Sequence, residues 1–129
     1  SANGATAAAA AAAATAALLT ASAMAAGDVD VERARAAFER HDYVDAAQLF
    51  QKARENGADR WDIAAGEAGA RFELATETGK AEEAEKAIKL YTSLLESGRG
   101  SREGGTRAEA ALYFGRANAQ VTVDRLEEA

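Results

Sequence analysis

Ala34-Arg35-Ala36-Ala37-Phe38-Glu39-Arg40-His41-Asp42-Tyr43-Val44-Asp45-Ala46-Ala47-Gln48-Leu49-Phe50-Gln51-Lys52-Ala53 is the stretch on which the fold turns. Its apolar residues recur at helical rather than alternating spacing. Ala34, Ala37 and Phe38 share one face, and Tyr43, Ala46, Ala47, Phe50 and Ala53 share another. His41-Asp42 separates the two runs. The Asp42 carboxylate is suited to accept a bond from an unpaired backbone N–H in the turn that follows. The pattern predicts two facing helices, 28–40 and 43–56, with Asp28 capping the first and Gly57 ending the second in the left-handed conformation.

The rest of the chain agrees with a helical reading. Alanine supplies 37 of the 129 residues, proline is absent, and β-branched residues are few. Such a composition disfavours strands and favours helices, so the fold class is all-α. The larger apolar side chains fall almost entirely in 28–129, which must therefore hold the core. The net charge of −6 also sits there, because residues 1–27 carry no Asp, Glu, Lys or Arg. Acidic and basic residues are interleaved with acid in excess. That pattern argues against nucleic acid, whose phosphates need clustered Lys and Arg. The lack of cysteine removes thiolate chemistry and disulfides. With one histidine and no catalytic motif, the chain is not expected to be an enzyme.

The pattern Ala34-x3-Phe38-x3-Asp42-Tyr43-x2-Ala46-x3-Phe50-x2-Ala53 resembles a tetratricopeptide repeat, in which small residues let paired helices cross and an aromatic fills the gap. The family's proline after the second helix is missing, and Ala58 stands near its place. A second unit follows in 61–76 and 80–97, with Ala65, Ala68, Gly69 and Phe72 answered by Ala84, Ala87, Tyr91 and Leu94. The aromatic moves 41 residues from Phe50 to Tyr91 where the family repeat is about 34, so an elongated hairpin is expected at 76–79. Residues 97–105 contain four glycines and are expected to form a flexible joint outside any regular element. Thr106-x-x-Glu109 then reads as a capping box, Ala111-x2-Phe114-Gly115 as the first helix of a third repeat, and Asp124 to Ala129 as the start of its second. The resemblance implies a short right-handed array of antiparallel helix pairs, about two and a half repeats, preceded by an Ala-rich helix. The third repeat stops mid-pattern, which implies either further chain or a partner over the last helix.

Residues 1–27 form the uncharged, Ala-rich opening. A helix over 5–26 would reach about 33 Å, close to the hydrocarbon thickness of a bilayer. Alanine contributes little transfer free energy, however, and Leu18 and Leu19 do not offset Thr6, Thr15, Thr20 and Ser22 for a helix alone in lipid. Packed among other membrane helices, its small-residue surface would serve. The segment also resembles the apolar part of a secretory or thylakoid-lumen targeting sequence, with Ala23-Met24-Ala25 as a small-x-small cleavage pattern. The absence of an initiating methionine is what a two-part organellar presequence leaves after losing its first part. A low-complexity tail on a soluble protein is the alternative.

Individual residues add little chemistry. His41 lies in a turn without a second ligand or nucleophile and reads as solvent-facing. Glu82, Glu83 and Glu85 do not converge on a helix and alternate with Lys80, Lys86 and Lys89, so a solvated face is expected and no metal site. The glycines of 98–105 lack the Gly-Lys-Ser/Thr ending of a P-loop. Trp61 reads either as an end-on cap of the core or as an exposed interface anchor. The resemblance places partners in a groove lined by first helices, at Glu32, Ala36, Glu39, Ile63, Gly66, Ala70, Glu73, Leu112 and Arg116. The family's carboxylate clamp uses Lys and Asn. Here glutamates dominate, so a basic or apolar segment is the expected ligand.

The functional expectation is a non-catalytic scaffold or accessory subunit without a cofactor, joining other proteins in a larger membrane-bound complex. An algal photosynthetic thylakoid complex is the specific expectation and a bacterial envelope complex the next. The alternative is a soluble adaptor that binds an extended peptide in its concave groove.

Overall fold

The computed structural model describes residues 27–129. The Ala-rich stretch and the anchor, targeting or tail readings of 5–26 lie outside the described residues. The fold class is all-α, as the composition requires, with no strand among the described residues. The helices are α1 (27–39), α2 (Tyr43–Glu55), α3 (Trp61–Thr78), α4 (Ala81–Ser97) and α5 (Arg99–Glu128). Connections of one to five residues turn each helix back beside the one before it. α3 touches α2, α4 and α5, and α4 also touches α5.

The turns show why the chain breaks where it does. After α1, the His41 N–H donates to Phe38 O at 3.0 Å and the Asp42 N–H to Ala37 O at 2.9 Å. After α2, the Gly57 N–H donates to Arg54 O and the Ala58 N–H to Ala53 O. Both are Schellman closures, which need a left-handed residue at the turn. Gly57 supplies it at φ 100°, as expected, and His41 adopts φ 63° despite its side chain. The Asp45 N–H donates to Asp42 Oδ1 at 3.4 Å, so Asp42 caps α2. Asp28 does not cap α1, because Gly27 before it is already helical.

Alanine fills most of the buried apolar positions, which brings backbones close. Val31, Phe50 and Ile63 complete the α1–α2–α3 core, and Tyr91, Leu94 and Leu112 the α3–α4–α5 core. Close approach also explains the glycines of α5. A Cβ on Gly104 would stand 2.7 Å from the Trp61 indole, and one on Gly100 would overlap Leu112. Residues 99–104 are thus helical, against the expectation of irregular chain, because these glycines make room for neighbouring side chains. The break is confined to Gly105, at φ 78° and ψ −169°. The helix resumes at Thr106 and runs unbroken to Glu128, so Asp124 does not begin a new helix. α3 likewise runs two residues beyond its expected end, until Gly79 closes it at φ 74°.

Candidate functional site

An open cavity of about 330 Å³ lies between the first three helices. Arg35, Phe38 and Glu39 of α1 form one wall, Ala65, Gly66 and Gly69 of α3 the other, and Phe50 of α2 reaches up between them. The two glycines play different parts. A Cβ on Gly66 would stand 2.8 Å from the Phe50 ring, so Gly66 is required by the ring beneath the cavity. A Cβ on Gly69 would meet nothing within 4 Å, so its missing side chain leaves empty space.

Acidic groups border this apolar slot. Glu39 lines it, while Arg35, the lining cation, is directed toward Asp62 at 3.5 Å. The Phe38 ring meets Tyr43 edge-on with centroids 5.3 Å apart, and the Tyr43 hydroxyl lies 2.6 Å from His41 Nδ1. Lost hydration, together with the negative charges of Glu73 and Glu77, holds the Tyr43 phenol above its ordinary pKa. Those two glutamates therefore lie close enough to Tyr43 to disfavour its ionised form. Burial, reinforced by Glu73, raises Tyr91 in the same way.

The groove residues expected from the sequence divide into two groups. Glu32 and Glu39 are exposed on α1, and Glu73 is half-buried on α3. Ala36 is exposed and Gly66 lines the cavity. Ile63, Ala70 and Leu112 are instead sealed in the core and offer a partner no surface, with Ile63 at 0% and Leu112 at 1% exposure. The helical register turns these residues inward by about one position from the expected face. Arg116 lies on α5 with its guanidinium carbon 5.3 Å from the centroid of the Tyr113 ring, a cation–π contact away from the cavity. Trp61 is half-buried in the α3–α5 core, and its backbone N–H donates to Glu103 Oε1 at 3.1 Å.

Sequence reasoning missed Phe38, Phe50 and Gly69 as the cavity's main walls, although the repeat pattern had already singled out all three. It also missed an ion network on the opposite side of α3. Glu67 is 3% exposed. Its Oε1 accepts from Arg54 and its Oε2 from Arg71, both at 2.9 Å. Arg71 also donates to Glu83 and to Gln51, each at 2.9 Å. This network joins α2, α3 and α4, and among the described residues no buried side-chain nitrogen or oxygen lacks a hydrogen-bond partner. Among the described residues, no group of three or more His, Asp or Glu side chains is placed to hold a metal ion. No described helix is long and apolar enough to cross a membrane.

No protein-family model matches this chain, and no curated protein or solved structure does either.

Proposed function

We propose that the chain is a non-catalytic protein-interaction module: a short right-handed array of tetratricopeptide-like helix pairs whose concave face takes an extended segment of another protein. One observation carries the reading, the apolar slot between α1 and α3 that Gly69 leaves open beside Phe38 and Phe50. Contact between α3 and α5, next but one in sequence, supports the stacking of successive pairs. The slot suits one apolar side chain. Glu39, Glu73 and Glu77 favour a Lys or Arg beside it. In this role the protein acts as a scaffold or accessory subunit, holding other polypeptides of a larger assembly together.

The test is calorimetric titration of the full chain with extended peptides that carry Leu or Phe next to Lys or Arg. Saturable binding is expected. Gly69→Leu, which fills the slot from its α3 wall, should abolish it, and replacing the peptide's basic residue with Glu should weaken it. Binding that survives Gly69→Leu unchanged, or no saturable binding to any such peptide, rejects the groove.

A further inference from the structure

The outward face of α5 is a second apolar surface, separate from the slot. Ala110, Phe114, Ala117 and Val121 are all exposed, Phe114 at 69%. They are spaced 4, 3 and 4 residues apart, the seam spacing of paired helices. The opposite face, which includes Ala108, Leu112, Ala119 and Val123, is buried in the protein's own core. The seam is also nearly uncharged. Between Ala110 and Val123 the one charged residue is Arg116, which lies over the Tyr113 ring. Continuing the same spacing in both directions reaches Arg107 before the seam and Asp124 after it, both exposed.

From this pattern we infer that α5 pairs antiparallel with α5 of a second copy of the chain, about a two-fold axis beside Gly115 and Arg116. That register sets Phe114 against Ala117 of the partner subunit, and Ala110 against Val121 of the partner subunit. Each layer then joins a large side chain to a small one, as close packing requires. Arg107 falls opposite Asp124 of the partner subunit at both ends, so two ion pairs of opposite charge close the seam. Tyr113 flanks it beside Gln120 of the partner subunit. A two-fold interface must be complementary to itself, and this seam is so in both volume and charge. A parallel pairing would set Phe114 on Phe114 and Arg107 on Arg107. Within one copy, Arg107 and Asp124 are about 25 Å apart along the helix and do not meet. Asp124 there accepts a bond from Gln120 at 3.1 Å, and Arg107 makes no ion pair among the described residues.

Sedimentation velocity on the full chain, at concentrations up to about 1 mM, tests the pairing. A concentration-dependent species of twice 13.4 kDa is expected. Phe114→Glu removes an exposed side chain and should weaken dimerisation by roughly tenfold or more with the helical circular dichroism unchanged. Arg107→Asp and Asp124→Arg should each weaken it, while the double exchange restores it. That rescue is specific to the antiparallel register. A monomer throughout the range overturns the proposal and leaves the face to a different chain. A dimer indifferent to Phe114→Glu, or a double exchange without rescue, overturns it equally. Gly69→Leu should leave the dimer intact, so failure of the groove and failure of the seam are separate results.

Discussion

Glu67 and Arg71 are one turn apart on α3 and are joined at 2.9 Å between Oε2 and Nε, with the carboxylate almost wholly buried. The contact is the centre of a chain of charges that runs from Arg54 on α2 to Glu83 on α4. Three helices whose core is chiefly alanine thereby gain a directional link that alanine itself cannot supply.

Removing the central carboxylate should accordingly be costly. Glu67→Ala leaves the largely buried Arg71 without its central partner and is expected to destabilise the fold by about 3 kcal/mol. Urea denaturation followed by circular dichroism measures the loss, and a change under about 1 kcal/mol would show that the network is incidental.

Gly69→Ala should separate stability from binding. Its added methyl meets nothing in the folded chain, and alanine is the better helix former by about 1 kcal/mol. The variant should melt higher than the parent while binding groove peptides more weakly. A rise in stability with unaltered affinity would place the ligand elsewhere.

Gly105→Ala should act in the opposite direction. At φ 78° and ψ −169° the backbone is in a region essentially confined to glycine, so a side chain there costs on the order of 1–3 kcal/mol. Thermal unfolding reads this directly. An unchanged midpoint would mean that the break in α5 is not held by this residue.

His41 occupies a left-handed position at which glycine carries no steric penalty. His41→Gly is expected to stabilise the α1–α2 turn by about 0.5–1 kcal/mol, even with the contact to the Tyr43 hydroxyl lost. Destabilisation in chemical denaturation would show that the ring contact outweighs backbone strain.

Glu103 gives the chain a defined acid response. The Trp61 N–H, and then the Arg99 guanidinium, hold its carboxyl below the ordinary pKa. A depressed folded-state value means that the carboxylate stabilises the fold in full above the ordinary carboxylate range. The contribution is lost as pH falls through the lowered value. Side-chain carbon NMR should find Glu103 titrating below the chain's exposed glutamates, and Glu103→Gln should flatten that part of the stability profile. Titration at the ordinary value contradicts the contact.

The alanine and proline counts settled that the described chain is helical, and the spacing of Ala34, Ala37, Ala46 and Phe50 settled which faces pair, while Phe38, read with them, stays exposed at the cavity. Local chemistry was equally plain at Asp42 and Gly57, since caps and left-handed turns depend on neighbours two to five residues away. Reading failed where a glycine's reason was distant. Gly100 and Gly104 look like linker residues until Leu112 and Trp61 are found against them.

Sequence alone thus determined the helices, most of their boundaries and an acidic, cysteine-free chemistry. Those properties follow from intrinsic preference and short-range bonds. Tertiary structure decided that Ile63 and Leu112 are sealed, that Glu67 binds two arginines across helices and that Gly69 opens a slot between Phe38 and Phe50. Each of these depends on the rotation of one helix against another. A shift of a single residue turns a side chain by about 100° around the axis, finer than periodicity in an alanine-rich chain can fix.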